Sequence, residues 1–225
     1  MLISVIIPTL NEEKSLPQLL KRLSEIKEVG QIIIADCGSV DDTLRLSGCY
    51  GAEAHQAPRG RGSQLRVGAK KAIGEILWFI HADAIPAKTA GSEILACLNN
   101  KLVIGGNLSI VFSGQGYSSH FLNWLYPKLS VIGLRYGDSA FFVRKSAYEK
   151  VGGFRGVPIF EDLDLLSRLK REGAFITLPV TISVSARRFG GSRFIWVFAL
   201  WCVLQVGYWV GVSPMLLAKL YAHKR

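Results

Sequence analysis

The first 80 residues alternate between short unbroken apolar runs and stretches with helical spacing. Residues 3–7 form a β-branched run closed by Pro8, the pattern of a strand buried on both faces. Asn11 then reads as a helix N-cap, with Pro17 in the first turn and Leu16, Leu19, Leu20, Leu23 and Ile26 recurring at helical spacing up to Gly30. Residues 32–35 make a second buried strand ending in Asp36-Cys37-Gly38-Ser39, and Asp41-Asp42 open another helix. Residues 53–55 read as a third, weaker strand. The loop Arg59-Gly60-Arg61-Gly62 leads into a helix through Leu65, Ala69 and Ala72, and residues 76–80 give the clearest buried strand. Strands alternating with helices predict a mostly parallel α/β sheet covered on both faces, with ligands at the carboxyl ends of the strands. Pro8, Asp36, Arg59 and Asp83 each follow such an end, so they should converge on one edge.

The second half is less regular. Residues 102–112 read as a strand in which Gly105-Gly106 marks a bulge or a close backbone approach. Residues 118–132 suit an aromatic amphipathic helix broken at Pro127, residues 138–143 a strand, and Gly152-Gly153 a turn. From Glu161 to Glu172, Leu163, Leu166 and Leu169 keep helical spacing, and Arg168 should pair with Asp164 one turn away. Residues 194–212 carry no charge and include Trp196, Trp201, Tyr208 and Trp209. Their length just permits a membrane span, which needs about 20 apolar residues. Basic residues flank both ends (Arg187, Arg188 and Arg193; Lys219, Lys224 and Arg225), so loop charge assigns no orientation. Aromatic residues spread along the whole segment suit an interfacial helix or a helical pair packed on the domain or a partner, with peripheral membrane contact or a buried dimer face favoured. The expected division is a catalytic unit over residues 1–190 and an apolar helical segment over 191–225.

Composition narrows the choice. A chain of 225 residues, 49% hydrophobic and 20% charged, can bury a sizeable core. Its net charge of +10 favours anionic partners such as nucleotide phosphates or lipid headgroups. The basic residues are spread rather than striped and form no nucleic-acid module, so no nucleic-acid partner is expected. No G-x-G-x-x-G follows the first strand, which argues against a nicotinamide enzyme. Cys37, Cys49, Cys97 and Cys202 show neither metal-type pairing nor a disulfide framework, and residues 1–10 show no basic leader. The expected location is the cytoplasm, at the inner face of a membrane if the apolar segment docks there.

Several motifs occur in order: S-V-I-I-P-T-L-N-E-E, I-I-I-A-D-C-G-S, R-G-R-G-S-Q, I-H-A-D, G-G-N, G-D-S-A-F-F-V-R and E-D-L-D-L-L-S-R-L. Together they resemble the family 2 glycosyltransferases with a GT-A fold, most of all the small bacterial arsenosugar-biosynthesis-type enzymes. The resemblance covers roughly residues 2–190. It implies a nucleotide-diphospho-sugar donor, a divalent metal (Mn²⁺ or Mg²⁺), an acceptor that could be lipid-linked, and inversion at the anomeric carbon.

The residue types suit that chemistry. Charge develops on a leaving diphosphate, which a metal ion and cationic side chains stabilise. Asp83 is the candidate metal ligand, and Ala82 beside it belongs to the nucleotide site. Asp162 matches the family's general base, with Glu161 beside it raising its proton affinity by like-charge repulsion. Without the resemblance, Glu161, Asp162 and Asp164 would read simply as acids favoured at a helix N-terminus. Pro8, Leu10 and Glu12 are expected to line the base and ribose, Asp36 to bond the nucleobase edge, and Arg59, Arg61 and Gln64 to lie along the donor. For Asp36 an Asx-turn with Gly38-Ser39 is compatible with that role. Gly137 and Asp138 resemble an acceptor-site motif. Two departures from the family pattern stand out: His81 replaces an acidic residue, and Ser139 replaces glutamine. His81 is open between metal ligand, phosphate contact and packing residue. The departures also leave room for a catalytically impaired nucleotide-sugar-binding protein.

Overall fold

Every side chain of the strand Ile76–Phe79 (β4) is buried, as expected of a strand covered on both faces. The computed structural model describes residues 1–113, 117–131, 140–185 and 194–222. The other strands are Ile3–Thr9 (β1), Val29–Asp36 (β2), Glu53–Gln56 (β3), Ala84–Pro86 (β5), Val103–Ser113 (β6), Phe142–Arg144 (β7) and Ala174–Ser185 (β8). They form one sheet in the order β3-β2-β1-β4-β7-β6-β8-β5. The β3-β2-β1-β4 half is parallel. β7 runs antiparallel to both β4 and β6, while β8 is parallel to β6 and antiparallel to β5.

Alternation along the strands builds two cores. Ile3, Val5, Ile7, Ile76 and Trp78 face one side, with Leu16, Leu19, Leu20 and Leu23 of the helix Leu16–Ser24 (α1). Ile6, Ile33, Leu77 and Phe79 face the other, under Leu65 and Ala69 of the helix Arg61–Lys71 (α3). Trp78 is fully buried and its indole N–H donates to the Ala140 carbonyl at 3.1 Å. On the second face, Phe79 contacts Phe141 (4.9 Å between ring centroids) and Phe154 (5.1 Å, edge-on).

Several boundaries differ from expectation. Pro8 lies inside β1, opposite Ala35 of β2. It is tolerated because β1 pairs with β4 only as far as Ile6, so its missing N–H breaks no bond on that side. Asn11 is not an N-cap: α1 begins five residues later, and Asn11 takes a left-handed φ of 56°. The helix ends at Ser24 in a tight turn, with Ile26 N–H donating to Leu23 O, and Gly30 lies within β2. The strand expected at 138–143 is β7, Phe142–Arg144. Residues 138 and 139 lie outside the described residues. The helix Tyr117–Val131 (α5) continues through position 127 rather than breaking there.

The Gly105-Gly106 expectation holds, since a Cβ on Gly106 would stand 2.4 Å from Ile176 O and 2.7 Å from the Phe142 ring. The remaining helices are Thr43–Cys49 (α2), Ala90–Leu98 (α4), Lys145–Lys150 (α6), Glu161–Leu169 (α7), Phe194–Trp209 (α8) and Pro214–Ala222 (α9). In α7 the Arg168–Asp164 pair forms at 2.6 Å as expected. Among the described residues no helix is long and apolar enough to cross a membrane. Instead, Leu204 of α8 and Leu217 of α9 form a small core with Phe160 and Leu163 at the start of α7. The four cysteines are all free.

Candidate active site

The parallel register aligns the carboxyl ends of three strands: Thr9 lies opposite Asp36, and Asp36 opposite Gln56. Asp36 is buried there, and four hydrogen bonds converge on it. Oδ1 accepts from the Gly38 and Ser39 amides at 2.8 Å each, and Oδ2 from the hydroxyls of Thr9 (2.8 Å) and Ser39 (2.5 Å). Burial pushes the Asp36 pKa up, but the bonds from Ser39, Thr9 and Gly38 outweigh it and hold the carboxyl below its ordinary value. The loop after β1 is stitched to the loop after β2. Asn11 N–H donates to Ser39 Oγ (2.9 Å), Val40 N–H to Asn11 Oδ1 (2.9 Å) and Glu12 N–H to Thr43 Oγ1 (2.8 Å). Gln64 of α3 completes the platform, its amide donating to Thr9 O (2.9 Å) and Ala35 O (2.8 Å). Asp36 and Gln64, both expected to touch nucleotide, thus spend these bonds on holding the ends of β1 and β2.

The opposite wall begins at α7. Glu161 and Asp162 are its first residues, 2% and 6% exposed. Arg61, the first residue of α3, reaches them across 100 positions of sequence. Its Nε donates to Glu161 Oε1, its Nη2 lies 3.4 Å from Asp162 Oδ2, and its Nη1 lies 3.3 Å from His81 Nε2. A guanidinium only donates, so His81 Nε2 acts as acceptor in that contact. Two acidic groups therefore share one guanidinium. Burial raises the Glu161 pKa, Arg61 opposes the rise, and the neighbouring Asp162 charge adds to it. Close approach of α3 to α7 needs Gly62, where a Cβ would stand 3.1 Å from Glu161 Cβ and 3.3 Å from Arg155 O.

Pro8, Arg61, His81, Phe141, Glu161 and Asp162 line one small cleft. Asp83 is half-buried in the turn that follows β4, two residues beyond His81, where Ala84 N–H donates to His81 O at 3.1 Å. Ala82, between them, points into the core. Leu10 is 37% exposed and Arg59 is exposed. Glu12 is half-buried beside the stitched loops. Gly137 and Asp138 lie outside the described residues. Among the described residues no three His, Cys, Asp or Glu are grouped to hold a metal ion. A lone carboxylate such as Asp83 fits a hard divalent ion whose shell is completed by phosphate and water oxygens.

Two aromatic residues lie near the acidic pair: Tyr208 of the apolar segment, and Phe160, which no sequence motif singled out. Phe160, directly before Glu161, has φ 58° and ψ 26°, and its ring is 4.9 Å from that of Tyr208 on α8. Burial raises the Tyr208 pKa, and the charges of Asp164 and Asp162 add to it. The aromatic spacing of residues 194–212 was the available signal, but it carried no indication of which surface the helix would meet.

A family model described as "Glycosyl transferase family 2" matches residues 4–150. The chain is 24% identical over 204 residues to the "Probable glycosyltransferase YdaM" of Bacillus subtilis, covering 77% of this chain and 48% of that protein. It is 36% identical over 89 residues to the 4,4'-diaponeurosporenoate glycosyltransferase of Staphylococcus haemolyticus, covering 36% of this chain and 24% of that protein. The chain thus spans half or less of the length of these relatives. Among solved structures, S. aureus TarS residues 1–349 superimposes with a TM-score of 0.68 at 19% identity, covering 83% of this chain and 61% of that one. The glucosyl-3-phosphoglycerate synthase of Mycobacterium tuberculosis, in complex with Mn²⁺, UDP and phosphoglyceric acid, gives 0.66 at 20% identity, covering 94% and 79%. At such identities the structures bear on fold alone, and they show the α/β GT-A architecture expected from the motifs.

Proposed function

The chain belongs to glycosyl transferase family 2, and from that premise we propose that it moves a sugar, with inversion, from a nucleotide-diphospho-sugar to an acceptor hydroxyl. The observation that carries this reading is the buried Glu161–Asp162 pair facing the carboxyl edge of the parallel strands across one cleft. Asp162 is the base. Its Oδ1 accepts the Leu163 amide at 2.9 Å and its Oδ2 lies 3.4 Å from Arg61 Nη2, and the carboxylate so held takes the acceptor proton. As that proton leaves, the acceptor oxygen attacks the anomeric carbon, and the bond to the diphosphate breaks with its electrons going to the leaving group. General-base help of this kind is worth roughly 10²–10⁴ in rate.

Pro8, Leu10 and Glu12 line the nucleoside side, on the platform that Asp36 and Gln64 hold in place. Arg61, already among anionic groups, and the more exposed Arg59 offset charge on the diphosphate. Asp83 is the residue that would hold a divalent cation, with His81 beside it and the Ala82 backbone in the same turn. When bound, such an ion acts as a Lewis acid toward the diphosphate. The mycobacterial synthase complexed with Mn²⁺ and UDP supports this assignment. Gly137 and Asp138 are proposed for the acceptor side.

The acceptor reading follows from the tail. The outer faces of α8 and α9 expose Val203, Val206, Trp209, Val210, Met215, Leu216 and Leu220. No acidic residue follows Glu172, while six Lys and Arg do. An apolar face in a stretch of sequence that is basic and lacks acids suits an anionic bilayer surface, and so a lipid-linked acceptor on the cytoplasmic side. The division into a catalytic unit over 1–190 and a surface-seeking segment over 191–225 belongs to the same proposal. The narrower likeness to arsenosugar-type enzymes rests on the motifs alone and names no acceptor.

A thermal-shift screen of nucleoside diphosphates and their sugars, with and without Mn²⁺, tests the donor site. Wild type should show a metal-dependent rise in Tm with at least one of them. Asp83→Ala should weaken that metal-dependent binding by roughly 10–100-fold while its own Tm stays near wild type. Equal affinity in the two proteins removes Asp83 as the ligand.

A further inference from the structure

The residue that launches the acidic pair is itself held by the C-terminal helices. Phe160 sits in the left-handed region, which a side chain other than glycine rarely adopts without support. Its carbonyl accepts the Asp164 amide at 2.9 Å, closing the first turn of α7. No side-chain hydrogen bond caps that helix start, and the Phe160 ring is packed against α8 and α9.

The ring is 4% exposed and meets two aromatic residues of α8, one on either side of Leu204. Tyr208 lies 4.9 Å away and tilted, and Trp201 lies 6.2 Å away and edge-on. These positions are seven apart, two turns along one helix face. Leu204 lies between them and Leu217 of α9 joins from the side, both almost fully buried. Burial, and after it the charges of Asp164 and Asp162, raise the pKa of the Tyr208 hydroxyl.

We propose that Phe160 is a positioning residue: the α8–α9 hairpin grips its ring and thereby holds the left-handed turn from which Glu161 and Asp162 project. The proposal rests on the reading of Asp162 as the base. On this view the tail is a working part of the active site.

The test uses the full chain. Phe160→Ala and Tyr208→Ala should each lower kcat by about tenfold or more, within the range that a small misplacement of a catalytic group produces, with donor KM changed less than about twofold. Tyr208→Phe keeps the ring and should restore kcat relative to Tyr208→Ala. Hydrogen exchange at the Asp164 amide should speed up by about tenfold or more in both alanine variants. Where Phe160→Ala does not fold, Trp201→Ala, at a partly exposed ring, carries the same expectations. Unchanged kcat, or donor affinity falling in step with kcat, overturns the proposal. So does an Asp164 amide that exchanges as in wild type. If wild type transfers no sugar from any donor, the base reading fails, while the exchange measurement still decides whether the hairpin holds Phe160.

Discussion

Asp36 and the Glu161–Asp162 pair are both buried, and they are held in opposite ways. At the end of β2, Asp36 is surrounded by donors from its own loop and from β1, and its carboxyl is pulled below the ordinary range in spite of burial. At the start of α7, burial pushes Glu161 up, and the main opposing influence is Arg61, 100 residues away in sequence. The first site is a finished scaffold. The second holds two carboxylates around one cation, and there burial raises the Glu161 carboxyl. Hydrogen bonds outweigh burial at Asp36, and burial outweighs the paired cation at Glu161.

The sharpest way to break this comparison is to neutralise one carboxylate at each site. Asp162→Asn should lower kcat by about 10²–10⁴-fold with little change in nucleotide affinity, read by steady-state kinetics and calorimetric titration. A parallel loss of binding would move Asp162 from base to scaffold. Asp36→Asn should do the reverse, since an amide cannot accept all four of those bonds. It should lower stability by about 1–3 kcal/mol in urea unfolding and reduce kcat only through weaker donor binding.

A smaller effect sharpens the contrast. The folded-state pKa of Asp36 is depressed, so its contribution is present above its unfolded value and is lost as pH falls through the folded one. Glu161 has a raised folded value, so its contribution is present below its unfolded value and is lost as pH rises through the folded one. Unfolding midpoints across a pH series should therefore lose an acid-side slope in Asp36→Asn. They should lose a slope above the ordinary glutamate range in Glu161→Gln. Slopes of the same sign for the two residues would contradict the assignment.

The local half of the site was legible in the residues. β-Branched runs ending in Pro8, Asp36 and Ile80 marked parallel strands, and a parallel sheet necessarily brings such ends to one edge. The Asx-turn at Asp36 and the Arg168–Asp164 pair are short-range, and both formed as read. Asn11 misled because asparagine serves equally as a cap and in a left-handed loop, and the choice was made by Ser39 and Val40 across the platform. Nothing nearby in sequence shows that the Gln64 amide joins two strand ends.

Hydrophobic period and turn chemistry, which act over a few residues, determined by themselves that this chain builds an α/β sheet with acidic residues following its strands. Only the tertiary structure decided that Arg61 spans Glu161 and Asp162, and that the apolar tail turns one aromatic face onto Phe160. Those contacts join segments far apart in the chain. They depend on how α3, α7 and α8 pack in space, and no local pattern encodes that arrangement.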